Sequence, residues 1–215
     1  MTTITETSTA MENRSPLGRL AVMAWLAGGA LWLAAGLVHD STGWRFDTSS
    51  VLWLTADAFI ALGLVALFTL RPHGSSRIGA VALGVALVAR GAFAGGEIAS
   101  LVQGHDDNPL IPLGALLTAV AMTAYGVVVP RRSEIRDNRR WAFLAMGLYP
   151  FVAMFPVVAL TGEPATVLIA LWGAPMALVG TACASLTRPT LLRAPTAPAA
   201  SGASRASENE SPGRR

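Results

Sequence analysis

Lysine does not occur in this chain, so all 16 basic side chains are arginine. Charged residues of any kind are scarce, at 13% of the 215 residues, about half the share of an ordinary soluble domain (roughly 25%). Histidine occurs three times and cysteine once. A single thiol, Cys183, excludes an internal disulfide and a cysteine-based metal site, and its place inside an apolar run marks it as a small packing residue. There is no P-loop, dinucleotide fingerprint, HExxH or GxSxG pattern to indicate a familiar enzyme. What the chain does have is apolar residues, 53% of the total, and a mean hydropathy of +0.50. That balance excludes a water-soluble globular domain and a disordered chain, and points to a protein whose solvent is largely lipid. Arginine without lysine, together with abundant Ala, Gly and Val, is a codon-bias signature of a GC-rich bacterial genome.

Six apolar runs organise the sequence: 20–38, 51–70, 78–102, 110–129, 141–160 and 165–186. They are 19 to 25 residues long. A helix rising about 1.5 Å per residue needs around 20 residues to cross a hydrocarbon core about 30 Å thick. In lipid the backbone must satisfy itself, which leaves helices or closed barrels, and unbroken apolar runs lack the alternation of a barrel strand. The predicted fold is therefore all-α, a polytopic bundle of six transmembrane helices within 19–186. A polar arm, 1–18, and a Pro-, Ala-, Ser- and Arg-rich tail, 187–215, are expected to be disordered. The first run is too long for the apolar region of a signal peptide (roughly 7–15 residues) and reads as a span. The connections are too short to hold a further domain, so any chemistry belongs within the helices or at their mouths.

Arginine placement sets the orientation. Fourteen of the sixteen fall in the arm, in 71–77, in 130–140 and in the tail, whereas the opposite side has only Arg45 and the interior only Arg90. The positive-inside rule then makes both termini cytoplasmic in a bacterial plasma membrane. The high pI of about 10.0 is thereby explained as a topology signal that also meets anionic lipid headgroups, with no nucleic-acid surface implied.

The charges within the runs are the most informative feature. Asp57 lies six residues, about 9 Å, below the outer end of its run, and Glu97 five residues, about 7.5 Å, below the outer end of the third. Arg90 is near the midplane. Insertion of one such residue at a helix centre costs roughly 2.5–3.5 kcal/mol, so these residues usually face the bundle interior and find partners. Arg90 and Glu97 are seven apart and share a helix face, and a short loop makes helices 2 and 3 antiparallel neighbours. An Asp57–Arg90–Glu97 cluster in the outer half of the bundle is expected, either as an ion network that fixes helix pairing or as a site that binds cations or exchanges protons.

His39 and Asp40 at the end of helix 1 extend this polar site, and Asp47, His105, Asp106 and Asp107 complete an acidic outer rim. His39, His105 and Asp106 are of a ligand type suited to Zn, Mn or Cu, but lack helical ligand spacing, so the rim reads as solvated and no metal or other cofactor is assigned. No histidine falls inside a run to serve as an axial haem ligand. His73, in the basic loop, is expected to be solvated.

Gly91 and Gly95 form a GxxxG pair on helix 3, expected to serve packing within the bundle, with homodimerisation as the alternative. Tyr149-Pro150 and Phe155-Pro156 predict an irregular fifth helix. Trp25, Trp32 and His39 share one face of helix 1 and read as a packing stripe. Three functional readings follow. The first is a small membrane protein with an outward-facing polar site between helices 1–3, binding or translocating a cation or small solute, with proton coupling. The second is a non-catalytic accessory or sensor subunit bound to a membrane partner. The third is an intramembrane enzyme acting on a lipid or isoprenoid through Asp57 or Glu97 as general acid.

Overall fold

The computed structural model describes the backbone of residues 3–42, 46–104, 108–132, 135, 137–162 and 165–186, with side chains described from Pro16 to His39 and, within those ranges, from Ser50 onward. The tail, 187–215, lies outside the described residues, as do the side chains of the arm up to residue 15, whose backbone continues the first helix from Thr3.

All regular structure among the described residues is helical. The elements are α1 (Thr3–Thr42), α2 (Phe46–Leu70), α3 (Arg77–Gln103), α4 (Leu110–Arg132), α5 (Ala142–Tyr149), α6 (Phe155–Thr161), α7 (Thr166–Leu171) and α8 (Gly173–Leu186). Six stretches are long and apolar enough to cross a bilayer: Pro16–His39, Ser50–Leu70, Arg77–Gln103, Leu110–Arg132, Asn138–Thr161 and Thr166–Leu186. The fifth span consists of a 3-10 turn (Asn138–Trp141), α5, a π-helical turn (Pro150–Met154) and α6, and the sixth consists of α7 and α8, which meet at Trp172. The bundle of six helices required by the hydropathy pattern is thus present.

The spans close a ring in chain order. α1 packs on α2, α2 on α3, α3 on α4, α4 on α5, α5 on α8, and α8 returns to α1. Glycine makes the tightest of these approaches possible. A Cβ on Gly29 would stand 2.6 Å from the Gly173 carbonyl oxygen, and one on Gly173 would stand 2.4 Å from the Gly29 oxygen, so α1 and α8 touch backbone to backbone. The same happens between α4 and α5, where Gly147 abuts the backbone of Thr123 and Gly126 that of Leu144. Small residues allow this proximity, and dispersion and weak backbone contacts then hold helices that have no hydrophobic driving force between them in lipid. The outer surface is as apolar as the core, with Val81, Val88, Val102, Val152 and Leu160 exposed, as expected of a surface that meets acyl chains.

Gly91 and Gly95 do not take part in this packing. Both are exposed, and a Cβ on either would meet nothing within 4 Å. The expectation that they pack within the bundle is corrected here. The GxxxG motif marks a helix that can be approached closely but does not say from which direction, and on α3 it points outward, away from the face that carries Arg90.

The irregularities of spans five and six have a specific use. Pro150 has no N–H, so the Met146 carbonyl lacks its usual helical donor, and it accepts instead from Trp172 Nε1 at 2.9 Å. At the α7–α8 junction the Trp172 N–H turns to the Ile169 carbonyl. The Leu168 carbonyl, which that N–H would ordinarily serve, accepts from the Tyr149 hydroxyl at 2.9 Å, and the Ile169 carbonyl also accepts from Trp32 Nε1 at 2.8 Å. Breaks in two helices thereby supply acceptors for three aromatic donors, which tie spans one, five and six together.

Candidate functional site

Ser50, Trp53 and Asp57 recur along one face of α2, and Arg90, Phe93, Glu97 and Ser100 along one face of α3, each with the spacing of helical turns. All seven side chains are buried. Asp57 is 3% exposed, Arg90 0% and Glu97 6%.

Arg90 donates through Nε to Asp57 Oδ1, and its Nη2 stands in ion-pair contact with the same oxygen, off the geometry of a hydrogen bond. The remaining nitrogen, Nη1, is buried and has no hydrogen-bond partner among the described residues. Glu97, two turns further along α3, acts electrostatically on the guanidinium and has an interaction of its own. The sequence-derived cluster is therefore brought together.

The guanidinium is also covered by aromatic faces. Its carbon lies 4.8 Å from the centre of the Trp32 ring and 4.6 Å from that of Phe93. Trp32 in turn packs edge-on against Trp53, with centroids 4.5 Å apart, and against Trp172 at 5.7 Å, and lies 5.5 Å from Phe93 at a tilt. Arg90 thus occupies a chamber walled by α1, α2, α3 and the α7–α8 junction. A desolvated cation–π contact contributes about 2 kcal/mol, comparable to the cost of inserting the charge, so the rings offset part of what burial takes from the arginine. The spacing of Arg90 to Phe93 (i, i+3) and of Trp53 to Asp57 (i, i+4) was the available signal for two of these walls. Trp32, read only as packing, is the ring that another helix lays over the cation.

His39 lies half-buried in the last turn of α1, two turns beyond Trp32 and at the same end of the bundle as Glu97, and makes an interaction of its own. The side chains of Asp40 and Asp47, and the whole of His105, Asp106 and Asp107, lie outside the described residues. Among the described residues there is no group of three or more His, Cys, Asp or Glu able to hold a metal ion.

His73 requires a correction. It is only 4% exposed although it belongs to the loop between α2 and α3. The loop folds inward because Arg71 and Gly74 both adopt positive φ, 49° and 60°, and hydrogen bonds from Gly74 N to the Arg71 oxygen (2.8 Å) and from Ser76 N to the His73 oxygen (3.2 Å) close two turns. The imidazole then lies over Gly79, where a Cβ would come within 2.6 Å of His73 Cβ, and its Nδ1 faces the Tyr125 hydroxyl at 3.5 Å.

No protein-family model, curated protein or solved structure matches this chain.

Proposed function

We propose that this chain is a small bacterial plasma-membrane protein, with both termini in the cytoplasm, whose outer half binds or translocates a cation or small solute in exchange for a proton. One observation carries the reading: a second carboxylate, Glu97, is buried beside an aspartate–arginine pair that already cancels itself. A pair alone suffices to lock two helices, and a further acid at that depth adds insertion cost without being needed for that purpose. In the proposed cycle Asp57 holds the guanidinium, and Arg90 sets the potential at the site. Glu97 takes up a proton or a cation from the outer side, reached past Ser100, Ser50 and His39. Neutralising Glu97 changes the field at Arg90 and hence the balance between the two acids, which couples occupancy to the packing of α2 against α3.

The test is proton flux into liposomes containing the full chain, read with a trapped pH dye, with sodium and potassium gradients as probes. Cation-driven proton movement is expected in the native chain and its loss in Glu97→Gln, with Asp57→Asn and Arg90→Ala also inactive. Equal flux in all four proteins would refute the reading.

A second reading, an accessory subunit, is favoured by the bare Gly91–Gly95 face of α3. There a second copy or a membrane partner helix could approach closely, within a lipid environment that is the chain's other constant partner. Gly91→Val with Gly95→Val should then abolish co-purification of differently tagged copies or of a fixed partner. Unaltered association would exclude that face.

A further inference from the structure

The His73 seat stands apart from the outer polar site, at the arginine-rich end of the bundle, and is independent of the reading above. Its parts come from four elements. The loop supplies the imidazole, and Gly79 on α3 supplies the floor, with its N–H capped by Ser76 Oγ at 3.3 Å. Tyr125 on α4 supplies a hydroxyl facing Nδ1 and an edge-on ring at 5.7 Å. Phe143 on α5 backs Tyr125 at 5.4 Å. A glycine under the ring, a fully buried tyrosine against it and a doubly turned loop above it make a specific receptacle for one side chain.

The receptacle suits a neutral imidazole. With the ring proton on Nε2, Nδ1 can accept from the tyrosine hydroxyl. The charged and titratable groups around it are Arg71 in the loop, the exposed Arg77 at the start of α3, Tyr125 on α4, the Arg132 main chain near Gly74, and Cys183 on α8 behind Tyr125. Among the described residues none of these groups is a carboxylate, so none of them would neutralise an imidazolium.

We propose that His73 is a proton-operated latch: neutral, it pins the loop between α2 and α3 to α4, and protonated, it leaves the seat and frees the ends of α2, α3 and α4 at that side. Burial, followed by the nearby Arg71 charge, pushes the imidazole below its ordinary value of 6.5. The released loop binds the proton more readily than the seated one, so the latch is fully held above about 6.5 and weakens as the pH falls through that value toward the depressed one. An acidifying compartment on the arginine-rich side would therefore loosen this end of the bundle.

The test is the mobility of a spin label on the exposed Ser75, as Ser75→Cys in a Cys183→Ala background, with the full chain in phospholipid nanodiscs titrated from about pH 8 to 4.5. The label should be restrained at high pH and become mobile with a midpoint below 6.5. His73→Gln, which cannot take up the proton, should abolish the transition. Tyr125→Phe, which removes the donor to the neutral ring, should raise the midpoint by about half a pH unit. In the unsubstituted chain, the His73 ring carbon followed by NMR should titrate over the same range. A label equally mobile at every pH, or a transition that persists in His73→Gln, overturns the proposal. Because the readout is loop motion, loss of the latch leaves the outer site untouched, and failure of the flux test leaves the latch intact.

Discussion

At the residue scale, the decisive interaction is a guanidinium removed from water and given one carboxylate and two ring faces. Removing one partner of a buried pair leaves the other charge uncompensated. Asp57→Ala should therefore cost about 3–5 kcal/mol, seen as a large fall in thermal midpoint in detergent. The double replacement Asp57→Leu with Arg90→Met should recover much of that loss, because two apolar side chains of similar size need no partners. Trp32→Leu should cost about 2–4 kcal/mol, since it removes a ring face from Arg90 and leaves the Ile169 carbonyl without its indole donor. Part of this was legible in the sequence. Residue counting placed Asp57, Arg90 and Glu97 at compatible depths on adjoining helices, and the cost of charge in lipid made them meet. The role of Trp32 was not legible, because it depends on the rotation of α1 about its axis. A helix that is apolar on every side gives no periodicity from which to read that rotation.

At the element scale, the chain distinguishes two kinds of glycine. Gly29 and Gly173 are where backbones touch, and Gly91 and Gly95 are where nothing touches. Gly173→Ala should separate α8 from α1 and cost about 1–3 kcal/mol of monomer stability, whereas Gly91→Ala and Gly95→Ala should leave the monomer's unfolding midpoint unchanged or slightly raised. Differential scanning of the three variants in the same detergent would separate these cases. Sequence alone treats the two sets alike, since the small-residue motif is identical whether its neighbour is another span or lipid. The proline irregularities were expected from Pro150 and Pro156, but not their consequence, in which freed carbonyls serve indole and phenol donors from other helices. The burial of His73 was also missed, because a loop of arginine, glycine and serine reads as solvated until two positive-φ residues fold it inward.

At the scale of the whole molecule, hydropathy fixed the number and approximate limits of the spans, because lipid thickness and backbone satisfaction leave little freedom. Orientation rests on arginine placement, and it is open to direct test. Ser75→Cys in a Cys183→Ala background should resist a membrane-impermeant maleimide on intact cells and react fully in inverted vesicles. Labelling from the outside would reverse the topology and with it the outward direction of the proposed site.

Closure of the ring by its last member also sets an order of events during synthesis. Asp57 and Arg90 lie on consecutive hairpin arms and can annul one another as soon as those arms leave the translocon. Trp172 and the Ile169 carbonyl emerge roughly eighty residues later, so Trp32 must wait for its acceptor until the final segment arrives. A ribosome stalled before that segment would hold a nascent bundle whose Asp57–Arg90 pair has already formed but whose aromatic chamber still lacks one wall.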